Sequence, residues 1–314
     1  MSQDENPYAK VTIPFDIHKV DGKPVYYIIG SSAVPSAENQ GHTSNAGFVV
    51  TDEGVVVFDA LGTPALGYRM IKEIRRRTNK PIKYVVVSHY HADHIYGLQA
   101  FEEHVEDATI IAQEEALGYI GGNRASQGEA ANRRLEQRRE ALFPWVDENT
   151  YLVEPDTTFK ERYEFELGGY HFELLHMGPA HAPGDSTMYI PELRALFSGD
   201  VIYKGRLPFL DSPETNTKQW LKDLKSLTQL QPRPEFIIPG HGVAEQDVEK
   251  AIRFTHDYIA YLRQQMGQAV ANFVDFETAY ENTDWSRYED VPTFDASNKG
   301  NAYRIYLEME HEQF

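Results

Sequence analysis

Cysteine is missing from this chain of 314 residues. The absence removes disulfides, thiolate nucleophiles and sulfur ligands, so any bound metal has to be held by His, Asp and Glu. It leaves the compartment open, because a cysteine-free chain suits oxidising and reducing surroundings alike. Basic residues are also scarce: 30 Lys and Arg stand against 48 Asp and Glu, a net charge of −18. A surplus of that sign argues against a nucleic-acid partner, which demands a basic surface, and against an anionic membrane face. No apolar run approaches the length of a membrane span. Met1 to Asn6 show no basic region followed by an apolar one, so no export signal is expected. As written the chain reads as cytoplasmic, and as periplasmic if a leader was removed. Its 41% hydrophobic and 25% charged residues are ordinary for a globular protein. The length suits one large two-layer domain or two modest ones.

What stands out is Ser88-His89-Tyr90-His91-Ala92-Asp93-His94, directly after the apolar run Tyr84-Val85-Val86-Val87. The β-branched run reads as a buried strand, so the cluster lies where a strand runs out into a loop. Alternate residues of an extended chain point the same way, which puts His89, His91 and Asp93 on one side with His94 offset. Imidazoles and a carboxylate suit zinc, or iron or manganese. One short loop cannot wrap all of these ligands around a single ion, so the spacing suggests two metals side by side.

The other elements follow in order. Val11-Thr12-Ile13 and Val25 to Ile29 flank the turn signal Asp21-Gly22-Lys23-Pro24, which predicts a hairpin. Gly30 to Asn45 is a long Ser-, Gly- and Asn-rich loop, a candidate flap over a site. Phe48 to Val50 and Val55 to Phe58 form a second hairpin ending at Asp59. Helices are expected over 64–77, with Arg75-Arg76-Arg77 on a solvated face, and over 94–103; a strand is expected over 108–112. The polar stretch 113–145, interrupted by Gly121-Gly122 and Gly128, reads as an inserted helical hairpin. Strands resume over 158–175, 187–190, 195–197 and 236–238, with a helix over 218–230. Ile252, Ile259, Leu262 and Met266 recur on one helical face, which packs on the body or forms a dimer contact. The aromatic-rich tail from Phe273 reads as ordered. The division expected is a catalytic unit over 1–245 and a helical C-terminal extension over 246–314.

Three later positions repeat the pattern of an apolar run ending on a ligand type. Leu174-Leu175 leads to His176 and then to His181, Ala195 to Gly199 leads to Asp200, and Phe236 to Gly240 leads to His241. Strands that stop on such residues along one sheet edge build a crevice site. Asp59 ends its strand similarly and reads as an acceptor that orients a ligand or the metal loop.

With these residues in place, the chain resembles a metallo-β-lactamase superfamily hydrolase over roughly residues 20–245. The resemblance implies an αββα sandwich, an α/β fold of two face-to-face sheets with helices outside. It implies two divalent cations, most simply Zn2+ with Fe or Mn as alternatives. His89, His91 and His181 would hold one, Asp93, His94 and His241 the other, and Asp200 would bridge. His176 competes with His181, but the context Gly178-Pro179-Ala180-His181-Ala182-Pro183-Gly184-Asp185 favours the latter. The phrase from Val87 to Gly97, with Gly205-Arg206-Leu207-Pro208-Phe209-Leu210-Asp211, is more particular and is similar to the SoxH-type or quinoprotein-relay metallohydrolases.

The activity implied is hydrolysis of a small ester, thioester or lactone by a hydroxide held between the cations, with Asp93 catalytic as the proton acceptor. Asp at position 200 matches thioesterases, lactonases and phosphodiesterases of the family, whereas its β-lactamases carry Cys or Ser there, so lactam turnover would be minor. The alternative is a single-iron oxidoreductase like the persulfide dioxygenases. Tyr90, Tyr96, Tyr203, Lys204 and Arg206 are candidate substrate contacts, Lys204 and Arg206 for a substrate carboxylate. The other histidines (His18, His42, His104, His171, His256 and His311) are structural or exposed. The partner expected is a small molecule, and the chain is a monomer or homodimer.

Overall fold

The computed structural model describes residues 7–120, 128–212 and 214–313. Two sheets lie face to face. The first takes its strands in chain order: β1 (His18–Lys19), β2 (Val25–Ile28), β3 (Ala46–Val50), β4 (Val55–Phe58), β5 (Ile82–Val86), β6 (Thr109–Gln113) and β7 (Thr157–Phe159). Pairing is antiparallel from β1 to β4 and parallel from β4 to β7. The second sheet runs β8 (Arg162–Leu167), β9 (Tyr170–His176), β10 (Ser186–Ile190), β11 (Ala195–Lys204) and β12 (Phe236–Gly242), antiparallel except for the last pair.

The side-chain period of two explains the layering. In β4, Val56 and Phe58 face the second sheet, where they join Phe172, Met188, Phe197 and Ile238 in one core. Val55 and Val57 face the other way, into a core shared with α1 (Pro64–Arg77) and α3 (Leu98–His104). Leu196 and Ile237 of the second sheet face α5 (Thr217–Leu227) and α6 (Val248–Ala271) in the same manner. Strands buried on both faces read as continuous apolar runs, which is how β4 and β5 look in the sequence. Each such Val or Phe contributes about 1.5–3 kcal/mol relative to exposure. The result is an αββα sandwich, as expected.

Helix starts follow capping chemistry. The Thr63 Oγ1 accepts from the Leu66 N–H ahead of Pro64, and the Asn216 side chain accepts from the Gln219 N–H at α5. Arg75, Arg76 and Arg77 are exposed as expected, and the buried Glu73 accepts from Arg76 and Arg77. α6 buries Ile259, Leu262 and Met266, with Ile252 partly covered. The tail forms α7 (Phe276–Asn282) and α8 (Phe294–Gln313), and α8 is tied to α6 by Tyr258 to Asn298 at 2.9 Å and by Arg263 to Glu308 at 3.2 Å. Among the described residues no helix is long and apolar enough to cross a membrane.

Several local expectations change. Val11 to Ile13 form no strand: the Thr12 N–H donates to the Gln40 side chain, and β2 pairs with the two-residue β1 instead. The helix expected over 94–103 divides into α2 (Ala92–Ile95) and α3 at Gly97. A Cβ on Gly97 would lie 1.8 Å from the Ala60 carbonyl oxygen, so only glycine lets the chain pass there. Among the described residues the stretch 113–145 holds a 3₁₀ turn at Ala116–Gly118 and α4 (Gly128–Leu142); Gly121 and Gly122 lie outside the described residues. β11 and β12 run on past Phe197 and Ile238, so Asp200 and His241 sit inside strands.

The long loop over 30–45 is anchored by His42, which lies against Phe15 with ring centroids 5.5 Å apart and whose Nε2 finds no hydrogen-bond partner. Burial holds its pKa down to about 4, against an ordinary value of 6.5. The unfolded chain therefore binds a proton that the folded chain refuses, and stability falls as pH drops from 6.5 towards 4. A His42→Phe variant removes this liability. Urea unfolding at pH 7 and pH 5 should show wild type losing about 2 kcal/mol more than the variant over that interval. Equal losses would mean that His42 titrates normally.

Candidate metal centre

The ligand types converge where the two sheets meet at one end. β5 runs into Ser88 to His94, the loop after β9 carries His181, and β11 and β12 carry Asp200 and His241. The register between β11 and β12 shifts twice, between Phe197 and Gly199 and again before Tyr203, and this irregularity aims the Asp200 side chain out of the ladder. Gly240 makes room for it, since a Cβ there would lie 2.0 Å from the Asp200 Oδ1.

Asp200 is 3% exposed and touches almost every other group. Its Oδ1 lies 3.2 Å from the His94 Nε2, and its Oδ2 lies 3.7, 3.4 and 3.3 Å from the Nε2 atoms of His89, His181 and His241. The His181 Nε2 faces the His91 Nδ1 at 2.9 Å, and the His241 Nε2 is 3.5 Å from the Asp93 Oδ2. His89, His91, His181 and Asp200 thus form one group whose ligand atoms lie within 4.8 Å of one another, and Asp93, His94 and His241 form a second.

The far side of three imidazoles is committed to an oxygen. Asp59 takes the His94 Nδ1 at 2.7 Å on Oδ2, and its Oδ1 accepts the Ser88 N–H at 2.7 Å. The Ser88 Oγ donates to the Asp59 Oδ2 at 2.8 Å, so at 2.9 Å it accepts from the His89 Nδ1. The His241 Nδ1 lies 2.7 Å from the Thr43 carbonyl. These partners fix the Nδ1 atoms of His89 and His94 as donors and turn each Nε2 towards the shared space; the His241 Nδ1 also lies 3.0 Å from the Arg206 Nη1, while its Nε2 faces that same space.

Whether such a space suits cations follows from its unmet atoms. The His89 Nε2, His94 Nε2 and Asp200 Oδ1 are buried with no hydrogen-bond partner, which is costly unless something else binds them. Burial pulls His94 down as a base, yet Asp200, Asp59 and Asp93 together raise it well above the ordinary histidine value. Burial holds His89 well below that value and His181 down to about 3. Burial pushes Asp93 up, but His94 and His241 beside it outweigh that and keep it ionised. Low-pKa imidazoles at His89 and His181, ionised carboxylates, and a His94 that those carboxylates draw towards positive charge make up a buried set that suits a divalent metal.

The family comparison agrees: the profile of the metallo-beta-lactamase superfamily matches residues 40–241. The chain belongs to the metallo-β-lactamase superfamily. It is 28% identical over 238 residues to a linear primary-alkylsulfatase of Pseudomonas sp. (strain ATCC 19151), covering 68% of this chain and 44% of that protein. It is 29% identical over 180 residues to the acyl-coenzyme A thioesterase MBLAC2 of Gallus gallus, covering 56% of this chain and 61% of that one. The solved sec-alkylsulfatase Pisa1 from Pseudomonas sp. superposes on 94% of this chain and 50% of its own, with a TM-score of 0.69 and 18% identity, and so shows the fold. The chain spans about half the length of these relatives. Members of the superfamily bind divalent metals, and the two clusters supply groups able to do so.

A cavity of about 360 Å³ opens beside the clusters of this metallo-β-lactamase fold, and Asp93, His91, His181, Asp200 and His241 form part of its floor. Tyr90, Tyr96, Tyr203 and Arg206 line it, as do Val34 and Pro35 of the long loop. The Tyr203 hydroxyl donates to the Asp200 Oδ2. Lys204 does not line the cavity; its ammonium pairs with Glu245, which removes it from the substrate contacts expected of it. His176 bonds the Asp185 carbonyl at 3.0 Å, apart from both clusters. Sequence reasoning missed Thr43, whose Oγ1 donates to the Asp93 Oδ2 at 3.1 Å, and Arg134 and Arg138 of α4, which also line the cavity.

Asp59 accepts on both oxygens from three donors, and its φ of 62° is one that Asn tolerates equally well. An Asp59→Asn variant keeps the backbone but has one acceptor oxygen for those donors. Its metal affinity, measured by competition with a chromophoric chelator, should fall about 10- to 100-fold with the fold retained. Unchanged affinity would show that something else orients His94.

Proposed function

We propose that the chain is a dinuclear metal-dependent hydrolase of a small ester, thioester or lactone. His89, His91 and His181 would hold one cation, and Asp93, His94 and His241 the other, with Asp200 shared. The supporting observation is the placing of Asp200, which reaches both groups: Oδ1 lies 3.2 Å from His94, and Oδ2 lies 3.3 Å from His241 and 3.4 Å from His181. Zn2+ is the simplest occupant of such a His and carboxylate set, with Fe or Mn as alternatives. Bound divalent cations lower the pKa of water from ~15.7 towards ~7 and take up charge on the oxygen of the bond being cleaved.

The protein's own contribution is placement and proton handling. Asp93 lines the cavity and is kept ionised by His94 and His241, so it can take the proton of the attacking water. Thr43 holds the Asp93 Oδ2, which leaves Oδ1 for that proton. The water oxygen forms the new bond to the substrate centre, the ester or thioester bond breaks, and the proton passes to the departing group. Tyr203 fixes Asp200 by its hydroxyl, and Arg206, 4% exposed, faces the same space as a charge for a carboxylate or the anionic product.

The alkylsulfatase and thioesterase relatives fit the same chemistry on a sulfate ester or a thioester, and the alkylsulfatase likeness over 68% of this chain makes a sulfate ester the second reading. The SoxH-type likeness of Val87 to Gly97 belongs to this proposal as its narrower form.

Metal quantification on the purified protein should return two zinc ions per chain. Hydrolysis would be assayed on S-lactoylglutathione, a homoserine lactone, nitrocefin, bis-p-nitrophenyl phosphate and dodecyl sulfate. One of the first two substrates, or dodecyl sulfate, should be turned over well above the others. Chelator dialysis, His91→Ala and Asp200→Ala should each remove that activity to the detection limit. A single iron per chain with oxygen uptake and no hydrolysis would overturn the proposal in favour of a dioxygenase.

A further inference from the structure

α4 closes one wall of the cavity, and it does so with charge. Ala131, Arg134 and Arg138 recur at spacings of three and four, so they share one face, and all three line the cavity. The neighbouring arginines of the helix turn elsewhere. Arg133 reaches Glu129 at 3.9 Å, and Arg139 is held by Glu136 and by the carbonyls of Asp147 and Thr150. No carboxylate among the described residues pairs with Arg134 or Arg138, in a chain that carries 48 of them.

Arg134 is held in place by rings. Its guanidinium lies 5.0 Å from the Tyr90 ring centroid and 5.9 Å from that of Tyr119, and the two rings stack at 4.5 Å and 17°. Its Nη2 is buried with no hydrogen-bond partner. The Tyr90 ring in turn lies 4.6 Å from the ring of His91, a residue of the first ligand cluster. One aromatic ring therefore separates an oriented, unsatisfied guanidinium from the candidate metal centre. Across the cavity the Arg206 Nε is also buried without a partner, while its Nη1 lies 3.0 Å from the His241 Nδ1. Donors held in this way, with nothing to donate to, are costly in the absence of an acceptor.

We propose that Arg134 and Arg138 form an anion subsite for the substrate, binding a carboxylate or other oxyanion remote from the bond that is cleaved. The apolar side chains Val34, Leu152 and Phe209 line the same space and would cover the carbon chain between the two ends. The substrate class is thus an organic anion whose charged group lies one ring's breadth from the reacting centre. This deepens the hydrolase reading and depends on it for the word substrate, while the anion subsite itself can be tested without turnover.

The test has two arms, each run on the metal-loaded protein and on the Arg134→Gln/Arg138→Gln double variant. Gln preserves helix propensity, so the helix should persist. In the first arm, kcat/KM is compared for 4-nitrophenyl acetate and mono-4-nitrophenyl glutarate. Wild type should favour the charged ester, and the double variant should lose that preference by on the order of tenfold to a hundredfold, mainly through KM, with the neutral ester unaffected. In the second arm, calorimetry compares dicarboxylates from malonate to suberate with monocarboxylates of matched length. One dicarboxylate length should bind wild type on the order of tenfold more tightly than its monocarboxylate, and the double variant should not discriminate. Arg133→Gln removes the same charge from the outer face and should match wild type in both arms. If neither ester is hydrolysed but the dicarboxylate preference holds and depends on the two arginines, the hydrolase reading fails and the subsite stands. Absence of any dicarboxylate preference, or an equal loss in Arg133→Gln, overturns the subsite.

Discussion

Asp200 is a carboxylate sealed inside protein, 3% exposed, with the Nε2 atoms of four imidazoles within 3.7 Å and a tyrosine hydroxyl on one oxygen. Removing such a charge from water costs several kcal/mol unless it is matched nearby, and the charge that His94 is drawn to carry matches only part of the acidic set around it. Asp93 and Asp59 add two more acidic groups to the same volume. Divalent cations would supply the missing charge and occupy the orphaned His89 and His94 nitrogens in one event. Much of the surrounding backbone serves this one carboxylate: the shifted register of β11 and β12, the glycine at 240 and the strand end at Asp59.

The centre is also where the two halves of the sandwich are joined. Asp59 and the loop from His89 to His94 come from the first sheet, while His181, Asp200 and His241 come from the second. Asn45, at the start of β3, donates to the carbonyls of Pro239 and Gly242 at 2.8 and 2.7 Å, so the first sheet grips the strand that carries His241. The apolar interface between the sheets sets the distance between the ligand groups before any ion binds, and cation binding then adds stability to that same interface. Oriented ligands need this rigidity, because an imidazole free to rotate about χ1 and χ2 loses the geometry that a strand end and an Nδ1 acceptor impose.

The sequence was most legible where one residue type had to follow another along the chain. Apolar runs led to Asp59, His89, Asp200 and His241, which pointed to a site at strand ends, while the sandwich and the sharing of ligands between two cations were implied by the family resemblance that those residues carry. Contacts between distant segments were not legible. Lys204 sits four residues past Asp200, but only the fold shows that Glu245 claims it. Arg134 and Arg138 were two of several charges in a polar helix, and nothing local distinguished them from Arg133 and Arg139, whose acidic partners lie close along the chain. Val11 to Ile13 had the composition of a strand, yet Gln40 competed for the Thr12 N–H. The break at Gly97 came from a tertiary close approach to Ala60, which no helical period encodes.

A net charge of −18 around a cavity where Arg134, Arg138 and Arg206 share the lining with Asp93, Asp200 and Asp211 sets long range against short range. At physiological ionic strength, charges more than about 8 Å apart across solvent are largely screened, so the acidic surface weakens the approach of an anion without deciding its residence. Inside the cavity the effective dielectric is lower and the guanidinium groups are pre-oriented by Tyr90, Tyr119 and Phe209, so contact energy outweighs the distant repulsion. An anion that cannot reach those contacts feels mainly the repulsion, whereas one long enough to span from the metal groups to α4 gains at both ends. Discrimination by length would follow if bound cations and the arginines of α4 attract the two ends of one organic anion in an otherwise acidic protein.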